Sequence, residues 1–187
     1  ATLAMVNNKA FLLFFTMIAL LFSAFIFSLS QPEVHALQKN VAQPAAAVLE
    51  DGTQEMRYAV SVDEVPFMVS VAGNPKDRTQ GLSGVQELPQ GEGKLFVFEQ
   101  SDTYGFWMKD MNFPIDMIWF DEDGVLVHVA HNVAPESFPE LFAPAEPALY
   151  VLEVNTGVAA TENFNTDSQL VLGTELQNCL KEGCFIE

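Results

Sequence analysis

Met117-Ile118-Trp119-Phe120-Asp121-Glu122-Asp123-Gly124-Val125-Leu126-Val127-His128-Val129 is the stretch that decides the fold class. Two runs rich in aromatic and β-branched residues are split by a short acidic segment ending in Gly. Each run has strand length, and the segment between them has turn chemistry, so together they predict a β-hairpin with a four-residue loop. Upstream, Arg57 to Val62 alternates apolar and polar residues, as do Phe67 to Val71, and Lys94 to Phe98 is a third strand. Asn74-Pro75-Lys76-Asp77 places an N-cap residue before Pro at the first helical position, predicting a short helix that stops near Gly81. Downstream, Tyr150 to Val154 and Gln169 to Leu172 read as strands, with one or two helical turns between Gly157 and Asn163. Phe106-Trp107-Met108 precedes a Pro-containing connection to the hairpin. The pattern predicts a mainly β fold: one compact β-barrel-like domain over 56–173, with one or two short helices.

The rest of the chain divides around that domain. The 187 residues carry 8 Lys+Arg against 25 Asp+Glu, a net charge of −17, yet mean hydropathy is +0.17. The apolar excess sits at the N-terminus, where Ala10 to Leu29 contains no charge, Pro or Gly. A helix of that length spans about 30 Å, a bilayer's hydrocarbon core. Residues 1–30 are therefore expected to be a transmembrane anchor, the alternative being a signal peptide cleaved near Ser28-Leu29-Ser30. Lys9 precedes the apolar run and all 25 acids follow residue 30. This asymmetry predicts a single-pass protein of a bacterial inner membrane, with a cytoplasmic N-terminus and a periplasmic domain. Residues 31–55, rich in Ala, Gln, Val and Pro, read as a linker, and 174–187 as a tail. The acidity argues against nucleic acid, whose phosphates need Lys and Arg clusters. Cys179 and Cys184 in the tail suit a small structural disulfide outside the cytoplasm.

Several spaced motifs carry a family resemblance. They are Arg78-Thr79-Gln80-Gly81-Leu82, Gly93-Lys94-Leu95-Phe96-Val97-Phe98, and Phe106-Trp107-Met108-Lys109 followed by Pro114-Ile115-Asp116-Met117-Ile118. His128-Val129 with Asn132-Val133-Ala134-Pro135, and Tyr150 to Val154 with Gly157, complete the set. From Phe67 to about Gly173 the chain resembles the family called domain of unknown function 192. The resemblance implies a compact, mostly β domain, often exported or membrane-tethered, with no established activity, substrate or cofactor. Ser83 departs from it where Met is common, and Phe164-Asn165-Thr166-Asp167 replaces a basic, Gly-containing approach to the last strand.

Candidate sites follow from residue chemistry. Lys109 and Asp116 flank Pro114 and form either an anion anchor with a general base or a structural pair, the second reading being preferred. A pocket near these two would also draw on Trp107 and Asn132. The ring N–H groups of Trp107 and Trp119 each require a partner, so either ring can mark a pocket edge. Pro135 to Pro147 holds four Pro, three Glu and two Phe, so Phe138 and Phe142 project as apolar teeth that either dock a partner or cover a barrel opening. His128 and His131 fall on opposite faces of a strand and make no closed metal site. Asp121-Glu122-Asp123-Gly124 lacks the twelfth-position acid of a calcium loop, Asn132 standing there instead. No nucleophile elbow and no phosphate loop appear. No cofactor is implied.

The leading expectation is a non-enzymatic accessory or assembly subunit of an inner-membrane complex in energy transduction, respiratory or photosynthetic, anchored by residues 10–29 and touching protein partners. The alternatives are an exported small-ligand binding protein or hydrolase with a pocket near Lys109 and Asp116, and a periplasmic metal-handling protein.

Overall fold

A computed structural model describes residues 45–48 and 54–185. The expected anchor at 1–30 and most of the expected linker lie outside them. Among the described residues no helix is long and apolar enough to cross a membrane.

The strands in chain order are β1 (Ala45–Val48), β2 (Gln54–Val62), β3 (Val65–Ala72), β4 (Glu92–Asp102), β5 (Ile115–Phe120), β6 (Leu126–Val133), β7 (Ala148–Asn155) and β8 (Leu170–Leu172). Helices α1 (Pro75–Gln80), α2 (Val158–Thr161) and α3 (Thr174–Glu182) are short. The sheet runs β1-β2-β3-β4-β7-β5-β6, with β8 on β2 beside β1. All pairings are antiparallel except β3 with β4, which needs a crossover and receives it from α1. Asn74 caps α1 as its sequence predicts, accepting the Asp77 N–H at 2.9 Å. Arg78 then ties α1 to the sheet by donating to the carbonyls of Gly73 at 2.7 Å and Val97 at 2.9 Å.

The sheet curls into a half-barrel whose far edge returns to the first through β8. Leu126 N–H donates to Ser168 O at 2.9 Å, and Leu170 N–H donates to Gly124 O at 2.8 Å. These bonds satisfy backbone groups that an open edge would leave unpaired. The turn predicted at Asp121 to Gly124 is held by the Asp121 carboxylate, which accepts the Val125 N–H at 2.8 Å and the Asp123 N–H at 3.0 Å.

Two apolar clusters fill the two faces. Val60, Val69, Leu95, Ile118, Phe120 and Leu152 belong to the inner one. Phe96, Met108, Ile115, Met117, Trp119 and Val151 belong to the outer one, beneath the connections between strands. Central β5 is buried at all six positions, so its even and odd residues serve different cores. This is why Ile115 to Phe120 reads as a continuous apolar run broken by one acid.

Two elements differ from the sequence reading. β1 pairs with Gln54–Arg57 inside the stretch read as linker, so the sheet begins before residue 56. The tail is the helix α3, seated on the inner cluster by fully buried Leu176, with Cys179 joined to Cys184 by a disulfide. Leu176, Cys179 and Leu180 stand at helical spacing, the signal that marks this element.

Candidate functional site

The site grows from one register line across the sheet. Arg57 faces Ser70, Ser70 faces Lys94, Lys94 faces Glu153, Glu153 faces Met117, and Met117 faces Ala130. Directly opposed residues share a face, so all six lie on the outer side. At the β2 end the row is a charged network. Arg57 pairs with Glu92, and Lys94 Nζ meets Glu55 Oε1 at 3.3 Å. At the centre the network stops short. Glu153 is 4% exposed, and its Oε2 is buried without a hydrogen-bond partner. Burial pushes its carboxyl up to about 8, a shift that the Lys94 charge opposes without cancelling.

Above Glu153 lies a cavity of about 380 Å³, within the range of small-molecule sites. One side of it is aromatic and soft, from Phe96, Phe98, Tyr104, Phe106, Trp107 and Met111, and the other is largely polar, with Arg78, Thr79 and Gln80 from α1. Irregular backbone makes the space. The β4–β7 ladder shifts register between Val97 and Asp102, releasing Phe98. Phe98 then stacks on Tyr104 at 3.5 Å between ring centroids, and the Arg78 guanidinium sits 5.1 Å from the Phe98 ring centre. Phe106 stands edge-on to Phe96 at 4.7 Å and to Trp119 at 5.8 Å. Trp119 packs behind Phe106, its ring N–H donating to Tyr104 O at 3.1 Å. Ser83, from the Gly81 to Gly84 turn, lines the same cavity and donates to Lys109 O at 2.8 Å.

The sequence-predicted residues separate in space. Trp107 lines the cavity and is 47% exposed at its mouth, while Lys109, Asp116 and Asn132 do not line it. The expected Lys109–Asp116 pair is absent among the described residues. Lys109 is exposed, and Asp116 points to the inner face, opposite in parity to Met117. The two oxygens of Asp116, fully buried, accept the Asn132 N–H at 2.8 Å and the Ala159 N–H at 2.9 Å. The partners of Asp116 are backbone amides and not Lys109. Asn132 sits at a φ of 52°, and its side-chain oxygen accepts from the Thr156 hydroxyl, which joins the end of β6 to the turn after β7.

Phe138 and Phe142 divide similarly. Phe142 is clamped to Phe106 by two backbone hydrogen bonds of 2.8 Å, one in each direction. Phe138 is 45% exposed and lies edge-on to Trp107 at 5.9 Å. Leu141, 63% exposed, completes an apolar lip beside the cavity mouth. Among the described residues no three His, Cys, Asp or Glu side chains gather as a ligand set, and His128 packs against Trp119. A second cavity of about 330 Å³, between Tyr150 and the α3 end, has no unpartnered buried polar group in its lining.

Sequence reasoning missed Glu153. Its signal was an acid inside Tyr150-Val151-Leu152-Glu153-Val154, a run otherwise suited to a doubly covered strand.

Comparisons with known proteins agree with this architecture. A protein of unknown function from Novosphingobium aromaticivorans is 28% identical, with a TM-score of 0.62, over 69% of this chain and 92% of its own. A candidate transcription regulator from Sinorhizobium meliloti is 24% identical, with a TM-score of 0.59, over 70% of this chain and 98% of its own, and shows likeness of fold. No curated protein matches the chain. The family model DUF192, described as an uncharacterized ACR, matches residues 58–172, from inner-face Tyr58 of β2 to the last residue of β8, and the chain belongs to that family.

Proposed function

We propose that this domain binds a small organic ligand in the outer-face cavity over Glu153, as a non-enzymatic module. The observation that carries this reading is the unpartnered, buried Oε2 of Glu153, a residue that lines a cavity shared by a group of aromatic rings and the polar residues of α1 and the turn after it. A buried polar atom without a partner costs about 1–3 kcal/mol, a cost that a ligand's hydrogen bond removes. The rings supply apolar area and the carboxyl supplies orientation, the usual division of labour in such sites. Trp107 lines the cavity and is half-exposed, so its emission should shift on occupancy, against a constant contribution from buried Trp119. Screening the full chain against a small-molecule library by Trp fluorescence and calorimetry tests the reading. Hits that lose affinity on Phe106→Ala and Glu153→Gln support it, and hits insensitive to both overturn it.

A second reading rests on the exposed lip of Trp107, Phe138 and Leu141. Here the domain is an accessory subunit of an inner-membrane complex in energy transduction, held at the periplasmic face by residues 10–29, with the lip against a partner subunit. Exposed aromatic side chains grouped on a surface favour protein contact. Stoichiometric copurification from gently solubilised membranes, lost on Phe138→Ser with Leu141→Ser, is the expected result. Recovery of free monomer from wild-type membranes overturns it.

A further inference from the structure

Resting on the cavity as a ligand site, we infer that its ligand is a small organic ammonium, a primary or secondary amine on an apolar body, whose N–H groups meet Glu153 and whose charge lies against the aromatic wall. Three features of the geometry select this class. Oε2 of Glu153 has no hydrogen-bond partner, and a cationic N–H donor is the partner that would also hold the carboxyl in its ionised, acceptor-only form. One wall is made of rings from Phe96, Phe106 and Trp107, and ring faces attract cations; the facing wall, from α1 and the turn after it, carries Arg78, Thr79, Gln80 and Ser83. The cations of the protein nearby are already committed. Lys94 on β4 is held by Glu55, and Arg78 on α1 is held by the carbonyls of Gly73 and Val97. Both cations thus already have protein partners, Arg78 doing so from the cavity wall, and neither makes a hydrogen bond to Glu153.

The remaining neighbours of Glu153 leave this selection intact. Met117 on β5, its other cross-strand partner, is apolar. The Tyr104 hydroxyl, from the connection after β4, donates to Gln100 O at 2.7 Å. Glu99 is engaged by Arg78 at 3.4 Å. An arriving ammonium is thus the one new charge opposite the carboxyl.

The protonation balance follows. In the empty cavity at neutral pH Glu153 is mainly the neutral acid, because burial holds its proton on up to about pH 8. On binding, the O–H bond of the acid breaks and its proton passes to buffer. The carboxylate left behind accepts an N–H from the ammonium, which keeps all its own protons. Near pH 7 each amine bound therefore releases close to one proton. Affinity rises about tenfold per pH unit from about 5 to about 8, then levels.

The test uses the full chain with 2-phenylethylamine, 2-phenylethanol and 3-phenylpropanoate as probes of one shape and three charges. Calorimetry at pH 7 in two buffers of different ionisation enthalpy reads affinity and proton release together. The amine is expected to bind at least about tenfold tighter than the alcohol, with near one proton released, and the carboxylate weakest. In Glu153→Gln that preference should fall within about twofold and proton release should vanish. Equal binding of amine and alcohol without proton release overturns the ammonium assignment and leaves the cavity reading standing. Tighter binding of the carboxylate does the same. No binding by any of the three overturns both.

Discussion

The Asp116 carboxylate accepts the backbone N–H of Ala159 at 2.9 Å across 43 residues of sequence, and so seats the first turn of α2 on the inner face of β5. Its other oxygen holds the N–H of Asn132, where the backbone is left-handed. Removing the carboxylate strands two backbone donors in a fully buried place. Asp116→Ala should therefore cost about 3–5 kcal/mol of folding stability. Asp116→Asn, which keeps one acceptor, should cost less, and Lys109→Ala, at an exposed position, less than about 0.5 kcal/mol. Chemical denaturation of the three variants checks the order. A large loss at Lys109 would restore the ion pair that the structure lacks.

Glu153 links stability to pH. Its carboxyl stands at about 8 in the folded protein against an ordinary 4.5, so the folded chain holds the proton more tightly. Stability is highest at low pH on this account and is lost as pH rises from about 4.5 to about 8, by up to about 5 kcal/mol. Glu153→Gln is neutral throughout, so its stability advantage over wild type should grow across that window and flatten above it. Denaturation curves at pH 5, 7 and 9 measure this. An advantage that does not change with pH would mean that the carboxyl is already ionised and compensated.

Gly124 sits at the seam that returns the sheet to its first edge. Its φ is +82°, and a Cβ there would lie 2.6 Å from Leu170 O, the carbonyl of the strand it binds. Gly124→Ala should cost about 2–4 kcal/mol through strain and a displaced β8. Gly84, also at positive φ but with open space around it, should cost only about 1 kcal/mol. Thermal melting of the two variants separates close approach from backbone conformation.

The Cys179–Cys184 disulfide closes a small loop at the end of α3. Loop-closure entropy for so few residues is worth about 2 kcal/mol. Its effect should stay local, because Leu176 still anchors the helix in the inner cluster. Replacing both cysteines with Ser should raise hydrogen exchange in α3 while leaving β4, β5 and β7 protected. Loss of protection across those strands would show that α3 holds the sheet together.

Local sequence carried much of the fold. The hairpin, the cap at Asn74 and the strand runs depend on side-chain periodicity and turn chemistry within a few residues, and both are written in order along the chain. Strand order is different. The parallel β3–β4 pair and the return of β8 to the hairpin join residues far apart in sequence, and no local pattern encodes which edge meets which. β1 and α3 were obscured for another reason: one is a four-residue run of Ala and Val, and the other a short helix among polar residues.

The site divides along the same line. Sequence alone located Trp107 and the Phe138 loop, because large apolar residues in Pro-rich and Gly-rich surroundings stand out without reference to register. It also placed Asp116 at a special position, since an acid within Ile115 to Phe120 must be satisfied by something. Which acid faces the cavity was decided only by tertiary structure. Asp116 and Glu153 are one register step apart on neighbouring strands, Asp116 opposite Val154 and Met117 opposite Glu153. That single step sends Asp116 to the inner face, onto backbone amides, and Glu153 to the outer face, beneath a cluster of aromatic rings. The pleat alternates faces with every residue, so a function carried by one buried carboxyl depends on the pairing between strands.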